Sequence, residues 1–104
     1  MEEKITAVYL LVLKSELVPE DGDSFERPLE NQKKVCFELL RAKGIDTAEA
    51  VVYTSRKELL KDVERDHVAR LVIHDLGRLG ANKGDIEGIL FELKKREVEV
   101  LTVS

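Results

Sequence analysis

The sequence has few of the residues that several common kinds of binding site need. Only 5% of its 104 residues are aromatic and none is tryptophan, which argues against a base-stacking platform for single-stranded nucleic acid. Its one cysteine cannot form an internal disulfide or, by itself, a zinc site. This cysteine usage is typical of a reducing compartment, so we expect a cytoplasmic protein with no metal or other cofactor.

The chain also lacks a basic excess and a long hydrophobic run. Its 17 Lys and Arg residues and 21 Asp and Glu residues give a formal net charge of −4, whereas a free-standing DNA-binding domain usually carries a positive excess. The longest apolar run, Ile5–Leu13, is too short to span a bilayer, and the acidic pair Glu2-Glu3 has the wrong sign for a signal peptide. We therefore expect no membrane association.

Strand-like and helix-like segments alternate along the sequence. Apolar, β-favouring residues occupy four segments, namely Ile5–Leu13, Ala50–Tyr53, Leu71–Ile73 and Val98–Val103. Three amphipathic segments lie between them: the first opens at Pro28 and ends at Gly44, and the others follow the capping residues Ser55 and Asn82. The apolar stripe of the first helix consists of Leu29, Val35, Cys36, Phe37, Leu39 and Leu40.

This alternation predicts a three-layer α/β domain with a four-stranded, mainly parallel sheet and helices on both faces. A flavodoxin-like order 2-1-3-4 places the two most apolar strands in the centre. One domain, residues 1–104, accounts for the length, and the polar segment 14–27 is expected to be a mobile loop. Ligands bind such sheets at the carboxyl ends of the strands, which are here Lys14-Ser15, Thr54-Ser55, Asp75–Ala81 and Thr102–Ser104.

Histidine and cysteine are common in metal sites and in nucleophilic catalysis, but their positions in this sequence predict neither a metal site nor a catalytic nucleophile. His74 and Asp75 are adjacent at the end of the third strand, where neighbouring side chains point to opposite faces, so we expect no catalytic pair. His67 follows the second helix, and neither histidine has a companion at metal-ligand spacing. Cys36 is predicted to pack as a small hydrophobic residue.

Arg78 is the clearest candidate for binding an anion. It lies in a turn with Gly77 and Gly80, just before a helix that Asn82 can cap, and a helix N-terminus favours anions. A structural interpretation is that Arg78 pairs with Asp75 while the glycines permit the turn. Because charged residues are common in turns, the structural interpretation of Arg78 is favoured over ligand binding.

Three segments are similar to motifs of one known family. Ala7–Leu13 resembles a first strand that reads A-x-Y-x-R-V-S, Pro28–Gln32 matches the S-L-E-N-Q that opens a first helix, and Asp75–Asn82 is similar to the turn L-D-R-L-G-R-N. Their order and spacing agree over nearly the whole chain. The sequence thus resembles the N-terminal catalytic domain of resolvase/invertase-type serine recombinases, which carry out site-specific DNA recombination.

The resemblance implies a site in which a serine attacks a DNA phosphate and arginines stabilise the charge that develops on it. Carried over to this chain, the serine's place holds Leu13 and a neighbouring arginine's place holds Leu11. In the turn, Gly77 stands for an aspartate and Ala81 for a second arginine. A leucine can neither attack phosphorus nor pair with an oxyanion.

Three residues do match the family pattern, namely Tyr9, Gln32 and Arg78, whereas Ser55 stands where the family has an acidic residue. We therefore predict a resolvase-like domain without strand-transfer activity, either an interaction module or a vestige in a DNA recombination context. A homodimer or a true recombinase are the expected partners. The resemblance implies DNA as a ligand, but the negative net charge of the chain disfavours DNA binding. We expect no DNA-binding domain within residues 1–104.

Two other functions are open to test. An enzyme or binding protein for a phosphate ligand or DNA backbone would use Arg78 and Asn82 with a relocated serine, Ser15 or Ser55. A signalling receiver domain has the same strand order but needs paired acids after the first strand for Mg²⁺, where this sequence has Lys14 and Ser15. The receiver interpretation is therefore disfavoured.

Overall fold

Strands and helices alternate in a computed structural model of the chain, whose described residues are 4–12, 24, 26–48 and 50–103. The four strands are β1 (Ile5–Tyr9), β2 (Ala50–Tyr53), β3 (Val68–Ile73) and β4 (Glu99–Thr102). The three helices between them are α1 (Glu26–Ala42), α2 (Arg56–Glu64) and α3 (Lys83–Lys95). A single turn of 3-10 helix, Leu76–Arg78, lies between β3 and α3.

The sheet has the order β2-β1-β3-β4, and all three pairs of neighbouring strands are parallel. The predicted order and fold class are therefore confirmed. The central positions of β1 and β3 follow from composition, since a strand covered on both faces needs apolar residues at successive positions. Ala7, Val8 and Tyr9 at the end of β1 are all buried, as are the last three residues of β3.

Two hydrophobic cores lie on opposite faces of the sheet. On one face, Ala7 and Tyr9 of β1 pack with Leu59 and Val63 of α2 and with Leu93 of α3. On the other face, β1 and β3 pack against α1 in a cluster that contains Val8, Leu10, Cys36, Leu40 and Val72. The alternation of side chains along β1 thus divides the helices between the two faces and gives the three predicted layers.

The helix boundaries follow local capping chemistry. The Ser55 hydroxyl accepts a hydrogen bond from the Glu58 N–H at 3.4 Å, and the Asn82 side chain accepts one from the Asp85 N–H at 2.9 Å. Both residues therefore cap the helices they were predicted to open. Gly44 follows α1 with φ +74°, a left-handed conformation that glycine adopts without steric cost.

Several element boundaries differ from the prediction. β1 ends at Tyr9 and not at Leu13, because the backbone of Leu11 bonds to a side chain of α1 and not to a neighbouring strand. β3 begins three residues early, at Val68, and α1 begins at Glu26, two residues before Pro28. Pro28 still lies in the first turn of α1, where its missing N–H costs nothing.

Two further predictions concern the beginning of the chain and α1. Val35, which was predicted to belong to the apolar stripe of α1, is 36% exposed and is therefore not part of the buried face of this helix. The predicted mobile loop 14–27 falls mostly outside the described residues, although its last two residues belong to α1. Within the described ranges, no helix combines the length and the apolar character needed to cross a membrane.

Candidate functional site

The carboxyl ends of β1 and β3 bring three segments of the chain together. The residue that follows β1 by two positions, Leu11, meets Gln32 from α1 and Arg78 from the 3-10 turn after β3. Gln32 and Arg78 are two of the three residues that resemble the recombinase pattern in sequence, and Leu11 stands where that pattern has an arginine. The third matching residue, Tyr9, is 3% exposed and packs in the core on the α2 and α3 face.

Gln32 binds the backbone of Leu11 with both ends of its side-chain amide. The Leu11 N–H donates to Gln32 Oε1 at 2.9 Å, and Gln32 Nε2 donates to the Leu11 carbonyl at 3.0 Å. Gln32 is 6% exposed and is the polar residue that the described core contains. A buried amide is stable in such a place because its donor and its acceptor are both satisfied.

Arg78 binds the same carbonyl from the turn after β3. Its Nη1 donates to the Leu11 carbonyl at 2.5 Å, and its Nε donates to Asp75 Oδ2 at 2.9 Å. The side chain of Arg78 is only 10% exposed. The Leu11 carbonyl therefore accepts two hydrogen bonds, one from Gln32 and one from the Arg78 guanidinium, which is the full capacity of its two lone pairs.

Asp75 links this cluster to His74. His74 Nδ1 lies 2.9 Å from Asp75 Oδ2, the same oxygen that accepts from Arg78. The expectation that these neighbours diverge is wrong, because β3 ends at Ile73 and strict strand alternation no longer applies beyond it. The structural pairing of Arg78 with Asp75, by contrast, is present.

Burial and hydrogen bonding act in opposite directions on the Asp75 carboxyl. Burial alone raises its pKa, but the hydrogen bonds from His74 and Arg78 and their positive charge outweigh this effect and lower the pKa. Asp75 is consequently a carboxylate at neutral pH. The cluster thus holds a fixed negative charge beside the guanidinium of Arg78, which reduces the attraction of that guanidinium for a further anion.

A cavity of about 280 Å³ opens beside this cluster, between α1 and the turn after β3. It is lined by Pro28, Asn31, Gln32, Val35, His74 and Arg78. The cavity is therefore the space where a small ligand would meet Arg78 and His74. Its walls come from the first helix and the third strand's carboxyl end, where the sheet topology predicts a site.

The remaining predicted site residues have local structural roles or lie elsewhere. Asn82 and Ser55 use their side-chain oxygens to cap α3 and α2. Gly77 and Ala81 are exposed in the turn on either side of Arg78. Leu13 and Ser15, the predicted nucleophile position and the candidate relocated serine, lie outside the described residues.

The single thiol does not belong to an exposed reactive site. Cys36 is fully buried in the α1 core, and this burial raises its pKa to about 11, with the charge of Arg78 acting in the opposite sense. A thiol with a raised pKa is a poor nucleophile at neutral pH. Among the described residues, no group of three or more His, Cys, Asp and Glu side chains could hold a metal ion.

The role of the Leu11 backbone was missed by the sequence analysis. One available signal was the spacing of Gln32, Cys36 and Leu40, which lie four residues apart and are the three buried residues of α1. A glutamine on the buried face of a helix needs a hydrogen-bond partner inside the protein. The partner cannot be identified from the sequence, because nearly every residue has a backbone N–H and carbonyl that could bond to the glutamine.

The fold is similar to that of a solved structure, the C-terminal catalytic domain of ISC1926 TnpA, an IS607-like serine recombinase, with a TM-score of 0.71. The similarity covers 95% of this chain and 67% of that chain, at 20% sequence identity. No model of a protein family matches the sequence, and no curated protein matches it either. The resemblance drawn from three short motifs is thus confirmed at the level of the fold, which is that of a serine recombinase catalytic domain.

Proposed function

We propose that this chain is a non-catalytic relative of the serine recombinase catalytic domain that acts as an interaction module in a DNA recombination context. The similarity in fold supports the recombinase relationship. Hydrocarbon side chains at the positions of the family's serine and its neighbouring arginine, Leu13 and Leu11, support the loss of strand transfer. Phosphoryl transfer needs a nucleophile and fixed positive charge around the transferring group, and leucine supplies neither.

The observation that carries this proposal is the position of the Arg78 guanidinium. A guanidinium that stabilises a phosphoryl group must direct its donors to the substrate. In this chain, two donors of Arg78 are directed to the Leu11 carbonyl and to Asp75, and the side chain is 10% exposed. In this proposal Arg78 is a structural residue that holds the end of β1, and the resemblance at this position reflects the shared fold.

A second candidate function is binding of a phosphate-bearing ligand. The cavity beside Arg78 and His74 is the observation that favours it. In that case Arg78 and the α3 start at Asn82 bind the anion, with Ser15 or Ser55 assisting, but neither Asn82 nor Ser55 is among the residues that line this cavity. Ser55 would have to give up the hydrogen bond by which it caps α2, which costs about 1 kcal/mol.

The two functions differ in what the protein does to DNA. We would incubate it with a pool of end-labelled duplexes that carry a nick near the centre, so that a covalent protein–DNA adduct is trapped, and analyse the products on a denaturing gel. The expected result is no adduct. An adduct that disappears in Ser15→Ala or in Ser55→Ala contradicts the proposal and identifies the relocated nucleophile.

Binding without chemistry needs a separate measurement. Fluorescence anisotropy of a labelled random duplex, titrated with the protein at low salt, is expected to show no binding in the micromolar range, because the net charge of −4 opposes association with phosphate. Binding that weakens in Arg78→Met, while the variant stays folded by circular dichroism, would instead support the phosphate-binding function.

A further inference from the structure

The outer strand β2 leaves an apolar edge of the sheet open. β2 pairs with β1 on one side. It is the first strand in the order β2-β1-β3-β4, so no strand of the described sheet pairs with its other side. Its sequence, Ala50-Val51-Val52-Tyr53, contains no charge, proline or glycine, although these residues are what usually protects an edge strand from pairing. Val51 and Val52 are 40% and 37% exposed, one on each face of the sheet.

The backbone at the centre of this edge has a donor and an acceptor that point outward. The Leu10 N–H donates to the Tyr53 carbonyl at 2.8 Å, so the backbone groups of Tyr53 face β1. Because these groups alternate in direction along a strand, the N–H and carbonyl of Val52 face away from β1. Ala50 also faces outward, and its N–H is already bonded to the Thr47 carbonyl at 3.3 Å.

The opposite edge of the sheet differs in charge. β4 begins with Glu99, whose carboxylate bonds to Arg70 of β3 at 2.9 Å. A charged residue on an edge strand disfavours the approach of another strand, because its charge would lose solvation. Between the two edges of this sheet, β2 is therefore the one suited to pairing.

Charges on either side of β2 indicate how a second strand would lie. The turn before β2 carries Asp46, and α2 starts just after β2 with the exposed Lys57 and with Arg56, whose guanidinium bonds to the Leu79 carbonyl at 3.3 Å. Two copies of β2 that run antiparallel bring the acidic entry of one copy to the basic exit of the other. A parallel arrangement would instead place like charges together.

From this edge we propose that the chain forms a two-fold symmetric homodimer through antiparallel pairing of β2 with β2 of a second copy. The two-fold axis passes beside Val52, whose N–H donates to the carbonyl of the partner's Val52 and whose carbonyl accepts in return. The two sheets then form one continuous eight-stranded sheet. Four residues a side bury little area, so we expect a weak dimer that depends on concentration.

Sedimentation velocity of the full chain over a wide concentration range tests this proposal. We expect the wild type to shift from monomer to dimer as its concentration rises. Val52→Pro removes the outward N–H and leaves the hydrogen bonds to β1 in place, a change that edge strands tolerate. It should remain monomeric at concentrations where the wild type is mostly dimeric.

A matched variant on the other edge provides the control. The Val103 N–H donates to the Ile73 carbonyl, so the backbone of Thr102 faces outward on β4. Thr102→Pro should therefore dimerise as the wild type does. If Val52→Pro does not fold by circular dichroism, Val52→Lys takes its place. A lysine extends from this exposed position into solvent in the monomer, but in the dimer it would lie directly opposite the partner's lysine, and like charges there disfavour pairing.

Three results would overturn the proposal. They are a wild type that stays monomeric up to the millimolar range, a dimer that persists when Val52 is replaced, and a dimer that is lost only in Thr102→Pro. Amide hydrogen exchange gives an independent measurement, because protection of the Val52 N–H should increase with protein concentration. An exchange rate that does not change across the dimerisation range also contradicts this interface.

Discussion

Gln32 binds Leu11 as a neighbouring strand would, by accepting from its N–H at 2.9 Å and donating to its carbonyl at 3.0 Å. A side chain of α1 thereby continues the hydrogen bonding of the sheet beyond the end of β1. Arg78 adds a third bond at the same carbonyl. Two of the three residues that match the recombinase pattern thus act together on the backbone that leads to position 13.

Replacing Gln32 with a residue of similar size should show how much these two bonds contribute. Gln32→Leu leaves the partly buried N–H of Leu11 without this acceptor and its carbonyl with Arg78 alone. An unsatisfied buried backbone group costs about 1–3 kcal/mol, so we expect the free energy of unfolding to fall by about 2 kcal/mol. Urea unfolding followed by circular dichroism measures the change.

Asn31→Ala is the control, because Asn31 is the neighbouring residue and is exposed. It should change the free energy of unfolding by less than about 0.5 kcal/mol. If the two variants were equally stable, the paired bonds to Leu11 would contribute nothing measurable. The architecture proposed for the end of β1 would then need a different explanation.

A structural role for Arg78 can be separated from a ligand-binding role by stability alone. Arg78→Met retains much of the side-chain volume but removes the bonds to Asp75 and to the Leu11 carbonyl. We expect the free energy of unfolding to decrease by about 1–3 kcal/mol, because a mostly buried guanidinium is lost from two partners. A residue kept only to bind an external anion could be replaced with no loss of stability.

The effect of this substitution on stability should depend on pH. The pKa of Asp75 is lowered in the folded state, where burial raises it but the bonds from His74 and Arg78 lower it more. Such a group stabilises the fold above its unfolded pKa, and the contribution is lost as pH falls through the folded pKa. The difference in stability between the wild type and Arg78→Met should therefore narrow in acid, and the Asp75 pKa, measured by NMR, should rise in the variant.

Exposed Arg65 at the end of α2 gives a control for the loss of one positive charge. Arg65→Met should leave the Asp75 pKa unchanged, because it does not remove a hydrogen bond to that carboxylate. If both arginine variants shifted the Asp75 pKa equally, the effect would come from net charge and not from the contact that the structure shows.

The parts of this structure that depend on side-chain pattern could be predicted from the sequence. The strand order follows from the apolar runs of β1 and β3, and two helix starts follow from Ser55 and Asn82. The contact between Gln32 and Leu11 could not be predicted, because the partner is the Leu11 backbone, and every residue type other than proline has the same backbone N–H and carbonyl. The His74–Asp75 contact was missed although the predicted end of β3 at Ile73 is correct, because strand alternation was assumed to continue into the two residues beyond that end.

The two tyrosines allow a measurement of the core at alkaline pH without interference from tryptophan. Burial raises the pKa of Tyr53, and so do its hydrogen bond to Asp62 and the negative charge there. Burial also raises the pKa of Tyr9, with the charge of Arg56 opposing it. We expect tyrosinate absorbance to remain low at the pH where free tyrosine ionises, about 10.

Because the folded pKa of both groups lies above the unfolded value, their contribution to stability is complete below the unfolded pKa and is lost as pH rises towards the folded pKa. Tyrosinate absorbance should therefore appear together with the loss of circular dichroism. Asp62→Asn should lower the pKa of Tyr53, since it removes the negative charge beside the phenol. Ionisation of both tyrosines near their ordinary pKa in a folded protein would contradict this arrangement.

The turn that carries Arg78 should tolerate no side chain at Gly80. A Cβ built at this position would lie 2.6 Å from the Cβ of Asp85 and 3.2 Å from the backbone N of Ile86, in the first turn of α3. Gly80→Ala must therefore push the turn away from the helix, and we expect it to lower the free energy of unfolding by about 1–3 kcal/mol. Thermal unfolding and urea unfolding both measure this loss.

Gly88 in the middle of α3 provides the matched comparison, since a Cβ there meets nothing within 4 Å. Gly88→Ala should raise the free energy of unfolding by about 0.5–1 kcal/mol, because alanine loses less conformational freedom in a helix. The backbone of Gly80 is not left-handed, so its requirement is for space and not for an unusual φ. Gly80→Ser should therefore be as damaging as Gly80→Ala, and a stable serine variant would show that α3 can move away from the turn at little cost.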